Sequence, residues 1–117
     1  MFFLLFFTAC TVKSQTPEAS IRVTSFNDEV AVTTELTSIA LRNNLDFTTG
    51  TLKVNRGFLV NTIVKKDRCV VATATSSLSA RVATVFFYRC EDFDYKILEK
   101  EFIDRAKNKG WSLSDEK

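Results

Sequence analysis

The residues best equipped for covalent chemistry in this chain are its three cysteines, Cys10, Cys69 and Cys90, and it has no histidine at all. Without an imidazole, serine–histidine and cysteine–histidine nucleophile pairs, histidine-ligated zinc and the commonest acid–base group near neutral pH are excluded. The carboxylates do not fill the gap. Glu91, Asp92 and Asp94 are grouped, but they stand just before an apolar-periodic stretch and read as the charged start of a helix. The glycines, Gly50, Gly57 and Gly110, are too scattered to cradle a phosphate. No catalytic residue, metal ligand or cofactor is therefore expected, and an enzyme using carboxylate or hydroxyl chemistry is the least favoured alternative. Lys65, Lys66 and Arg68, with Lys53 and Arg56, form the main basic grouping, yet they flank a turn in a chain of formal net charge +2. They read as solvated charge, and no nucleic-acid partner is expected.

Cys69 and Cys90 bound the stretch CVVATATSSLSARVATVFFYRC, in which two β-branched and aromatic runs are separated by the polar Ser76-Ser77-Leu78-Ser79. That is the pattern of a β-hairpin. Side chains on a strand alternate between faces, so Val70, Ala72 and Ala74 share one face, matched by Ala83, Val85 and Phe87 on the second run. This face is wholly apolar and is the expected core side. The other face carries Cys69, Val71, Thr73 and Thr75 on one run and Val82, Thr84, Phe86, Tyr88 and Cys90 on the other. Val71, Thr73, Thr84, Phe86 and Tyr88 are its candidate contact surface. With no bulge in either strand the two cysteines fall on one face and close enough for a disulfide. The competing possibility is a pair of buried free thiols in a reducing compartment.

These residues need a scaffold, and 117 residues with 45% hydrophobic content suffice for one domain with one core. Ser20 to Phe26 alternates as a first strand near an edge. From about Asp28 to Asn44 a helix is expected, capped by Asn27, with Val32, Leu36, Ile39 and Ala40 on one face and Asn43 and Asn44 as terminators. The alternating Glu29 to Thr34 competes with it as a strand. Asp46 to Gly50 reads as a turn. Thr51 to Val54 and Phe58 to Lys65 read as strands broken at Asn55-Arg56-Gly57, and Lys65 to Arg68 as a tight turn into the Cys69 strand. In the C-terminal helix Tyr95, Leu98, Phe102 and Ala106 make an apolar stripe, Glu101 and Arg105 an i,i+4 pair, and Gly110 with Trp111 a C-terminal cap. The expected fold is α+β: an antiparallel three- to four-stranded meander with the C-terminal helix and an N-terminal helix packed on one face. Residues 20–111 would be the domain, 10–19 a tether and 112–117 a polar tail.

Met1 to Ala9, MFFLLFFTA, is apolar and uncharged, and too short to span a bilayer as a helix. It resembles the h-region of a secretory signal, without the usual positive n-region. Phe7-Thr8-Ala9-Cys10 then resembles the lipobox of bacterial lipoprotein precursors, with Phe7 standing where an aliphatic residue is usual. The resemblance implies that Cys10 is lipidated and becomes the N-terminus, which makes the membrane a partner through that lipid and leaves Cys69 and Cys90 as a pair. It implies a small protein of the bacterial cell envelope, facing the periplasm or exterior, that acts by binding a protein or envelope component rather than by catalysis. Ordinary cleavage, for instance after Ser14, would give instead a soluble secreted effector or inhibitor. A cytosolic protein with a buried N-terminal element is the third possibility.

Overall fold

The computed structural model describes residues 15–26, 30–54, 57–77 and 81–115. In chain order the elements are β1 (Pro17–Thr24), α1 (Ala31–Arg42), β2 (Asp46–Val54), β3 (Gly57–Lys66), β4 (Cys69–Ser77), β5 (Val82–Tyr88), α2 (Tyr95–Asn108) and β6 (Ser112–Asp115). The strands form one six-stranded sheet in the order β2-β3-β4-β5-β1-β6. Every neighbouring pair is antiparallel.

The expected three- to four-stranded meander is therefore incorrect: this is a predominantly sheet α+β fold of six strands and two helices. The difference comes from both ends of the chain. β1 does not precede a meander at its edge but inserts between β5 and β6, pairing Ile21 with Val85 on one side and Val23 with Leu113 on the other. Ser112–Asp115, expected as tail, is the edge strand β6, and β1 already begins at Pro17 within the expected tether. Asp46 to Gly50, expected as a turn, is the first half of β2. Its threonines are β-branched and suit a strand, and β2 lies at the sheet edge, where one side needs no partner strand.

Both helices belong to one core cluster with a single face of this sheet. Ile21, Val23, Val64, Ala72, Ala74, Ala83, Val85 and Phe87 point from the strands into it, and Val32, Leu36, Ile39, Ala40, Leu98, Phe102 and Ala106 from the helices. α1 lies over β2, β3 and β4, while α2 lies over β5 and β6 and against α1. Helix wins over strand for Ala31 to Thr34 because Val32 and Leu36, one turn apart, both reach this core. The expected Asn27 cap lies outside the described residues.

Both helices end in the same hydrogen-bonded motif. In α1 the Leu45 amide donates to the Ala40 carbonyl at 2.9 Å and the Asn44 amide to Leu41 at 3.2 Å, with Asn44 left-handed at φ 57°. In α2 the Trp111 amide donates to Ala106 at 3.0 Å and the Gly110 amide to Lys107 at 3.0 Å, with Gly110 at φ 79°. This is the Schellman arrangement, which satisfies last-turn carbonyls and folds the following apolar residue back on the helix. Leu45 is buried accordingly, and Trp111 packs on Phe102 and Phe26, with ring centroids 6.4 and 6.3 Å away.

The helices are also clamped by charge. The Arg105 guanidinium donates to Glu35 of α1 at 3.2 Å, to Ser38 at 2.9 Å and to Glu101 at 3.1 Å. Arg42 reaches Glu101 at 3.3 Å and Lys109 reaches Glu35 at 3.3 Å. The expected Glu101–Arg105 pair is thus one edge of a network whose central arginine is shared by both helices.

Candidate functional site

The cysteines expected to pair do so. Cys69 and Cys90 form a disulfide with Cα atoms 6.0 Å apart, joining the start of β4 to the segment that follows β5. Cys10 lies outside the described residues. Gln15 sits against the same end of the sheet. Its side-chain amide accepts from the Val70 amide at 2.9 Å and donates to the carbonyls of Val70 at 3.0 Å and Arg89 at 3.4 Å. One side chain thus does for β4 what a short strand would do. It also sets Gln15, the first described residue, beside the disulfide. The sequence carries no signal for this, since a lone glutamine in a polar stretch has no periodicity to betray it.

Two bulges reshape this end. Opposite β3, Lys65 pairs with Val70 while Val64 pairs with Ala72, so Val71 is an extra residue in β4. Opposite β5, Pro17 pairs with Tyr88 while Ala19 pairs with Phe87, so Glu18 is an extra residue in β1. An extra residue reverses the alternation locally. Val71, expected on the contact surface, is consequently turned into the core and is 0% exposed, and it is removed from that surface. Glu18 would by simple alternation share a face with Ser20 and Arg22. Instead it lines a cleft on the helix side, with Arg89, Cys90, Glu91, Phe93, Asp94, Tyr95 and Lys96.

That cleft has a volume of about 450 Å³ and sits at the start of α2. Arg89 meets Glu18 at 3.3 Å, and the Asp94 carboxylate caps the helix by accepting from the Lys96 amide at 3.0 Å. Of Glu91, Asp92 and Asp94, expected as the charged start of this helix, Asp94 is its cap, and Glu91 and Asp92 precede it in a bend. The ring of Tyr95 stacks on Phe87, with centroids 6.2 Å apart, and closes the inner wall. Among the described residues no group of three or more histidines, cysteines or carboxylates is placed to hold a metal ion.

The remaining expected contact residues come together on the opposite side of the sheet. Thr73 pairs with Phe86 and Thr75 with Thr84 across β4 and β5, and the Thr73 and Tyr88 hydroxyls lie 3.4 Å apart. Thr73, Thr84, Phe86 and Tyr88 are all half-buried rather than covered. The face extends well beyond them, because register carries it onto β3 and β2: Ile63 pairs with Thr73 and Thr48, Asn61 with Thr75 and Gly50, and Leu59 with Ser77 and Leu52. Ile63 and Leu52 are 41% and 55% exposed. On the other flank Ser20 pairs with Phe86, Arg22 with Thr84, and Ser114 with Arg22.

Across these rows Arg22 is the one charged residue. The rest are threonine, serine, asparagine and apolar side chains, in a chain that is 26% charged overall. Charges return only where the rows end at the disulfide, with Asp46 and Lys65. The basic turn that follows is at that margin and not on the face. The sequence showed half of this surface, through Thr73, Thr84, Phe86 and Tyr88. The half on β2 and β3 was hidden because Asp46 to Gly50 read as a turn.

No helix among the described residues is long and apolar enough to cross a membrane. Comparison with known proteins matches the chain to no family model and to no curated protein.

Proposed function

We propose that the chain is a small exported protein, anchored at the bacterial cell envelope through a lipid on Cys10, that acts by binding through the uncharged outer face of its sheet and not by catalysis. The observation that carries the binding part is that face: six strands wide, with Arg22 its one charge away from the Asp46–Lys65 margin, and left uncovered by both helices, which pack on the other side. Surfaces that form the core of an interface are depleted in charged residues in this way. The disulfide supports export, since such bonds persist in oxidising compartments. Placement of Gln15 at the disulfide end supports the anchor's geometry. At roughly 3.3–3.6 Å per residue, the stretch from Cys10 to Gln15 reaches at most about 18 Å, so this end of the domain would face the membrane.

The test is the intact mass of the mature protein from a membrane fraction. A chain that begins at Cys10 and carries a diacylglycerol or triacyl increment is the expected result, with Cys10→Ser moving the protein to the soluble fraction. A free chain beginning near Gln15 would replace the anchored reading with a secreted effector or inhibitor that uses the same face.

A further inference from the structure

Resting on that reading of the outer face as the contact surface, we propose that its occupant is a second copy of this chain, packed face to face so that the two sheets form the inner layers of a dimer and the helices its outer layers. Three features of the face favour this over other occupants.

The first is charge. A face with one charge, off its centre on β1, can be set against itself with little electrostatic repulsion, which most surfaces of a 26% charged chain cannot. The second is extent. With strands about 4.8 Å apart and same-face residues about 6.8 Å apart, the six strands offer a patch of roughly 24 by 20 Å. Two such faces bury on the order of 1,000 Å², at the low end for a specific complex, so a concentration-dependent dimer is expected rather than an obligate one.

The third is symmetry. Two aligned sheets packed about 10 Å apart can be related by a two-fold axis either along the strands or across them. An axis across the strands brings Arg22 toward its own copy. An axis along the strands, midway between β4 and β5, sets β4 over the second copy's β5 and β3 over its β1. Thr75 then faces Thr84, Thr73 faces Phe86, and Arg22 faces the carboxamide of Asn61, a hydrogen-bond acceptor. The same axis puts both Gln15 residues, and so both disulfide ends, at one end of the dimer. Two chains held by short tethers to one membrane require that arrangement, and tethering raises the effective concentration that a modest interface needs.

The experiment is photo-crosslinking of the full chain in its own envelope, with benzoylphenylalanine replacing Phe86. The expected product has twice the mass of the chain and contains only its peptides. Thr84→Lys, which sets two ammonium groups beside the axis, should lower its yield at least about tenfold while the Cys69–Cys90 disulfide still forms, showing that the variant folds. The same photo-residue at Lys100, whose side chain is 80% exposed on α2, should give no such product. A product containing a different protein and no second copy overturns the dimer and leaves the outer face standing as a contact surface. Absence of any product from Phe86 overturns both. A doubled mass that survives Thr84→Lys undiminished means that the copies meet elsewhere, and also overturns the proposal.

Discussion

Ile63 and Val64 are neighbours on β3, both β-branched and equally suited to a strand, yet Val64 is 0% exposed under the helices and Ile63 is 41% exposed on the other side. The same contrast repeats at Phe86 and Phe87 on β5, where Phe87 is in the core and Phe86 is half-buried. One face of the sheet is mainly apolar and roofed by α1 and α2. The other keeps hydroxyls and rings in the open and almost no charge. Strand propensity does not separate them, because both faces are made of residues that favour strands. What separates them is that a hydroxyl without a partner is costly on the core side, a cost the protein bears at Thr33 of α1, whereas water satisfies it on the outer face. Where the core side does hold a threonine, Thr62, its hydroxyl lies 3.5 Å from that of Thr49.

The sharpest way to break the roofed side is to place a charge in it. Phe102 on α2 is fully buried, in contact with the Trp111 ring, and Phe102→Asp should destabilise the domain by roughly 4 kcal/mol or more. Lys100→Asp, two residues away on the exposed side of the same helix, should change stability by less than about 0.5 kcal/mol. Urea denaturation checks both. Similar small losses from the two would mean that the stripe does not face the core.

The disulfide ties β4 to the chain after β5 at the edge of both faces, so its removal tests how far the sheet depends on that end. For a loop closed across a sequence separation of 21 the chain-entropy account gives about 3 kcal/mol, less where the hairpin persists in the unfolded ensemble. Cys69→Ser with Cys90→Ser should lower the denaturation midpoint accordingly. A loss well under 1 kcal/mol would assign the hold on this end to Gln15 and the strand pairing.

A third substitution asks whether the roof is held by charge as well as by packing. Arg105→Ala removes the cation shared by Glu35 and Glu101 and leaves Glu35 to Lys109 and Glu101 to Arg42. Its side chain is 25% exposed, so solvent screens the pairs, and a loss of about 1–2 kcal/mol is expected. The difference from the unsubstituted protein should shrink in high salt. A salt-independent loss would point to the lost packing of the arginine stem.

How much of this was legible in the sequence follows the same division. The stripe Tyr95, Leu98, Phe102 and Ala106, the Gly110 cap and the folding back of Trp111 could all be read, because a 3.6-residue period and a glycine stop are local signals. The apolar face of the β4–β5 hairpin could be read for the same reason. The bulges at Glu18 and Val71 could not, since a register slip depends on the partner strand and leaves no mark in the residues themselves. They decided where Val71 points. β6 was equally hidden: Leu113, which packs against the core, is the single apolar residue of Ser112–Asp115, and one apolar residue has no period.

The smallest expected effect is the most informative about the open face. Val64→Thr places a hydroxyl in the core beside Ala72 and should cost about 1–3 kcal/mol. Ile63→Thr, one residue earlier, replaces the ethyl group of a side chain already 41% exposed with a hydroxyl among Thr48 and Thr73, its partners across the neighbouring strands. In a dilute solution of single chains it should cost under about 0.5 kcal/mol, because water already solvates that position and threonine keeps the β-branch the strand prefers. Both variants are compared by thermal unfolding at low and at high protein concentration. The cost of Val64→Thr should not depend on concentration. That of Ile63→Thr should grow with it if copies cover the face, since the lost ethyl group then comes from a buried interface and the self-association term falls with it. If Ile63→Thr is instead as costly as Val64→Thr even at high dilution, the face is roofed within the single chain and the distinction between the two sides of the sheet fails.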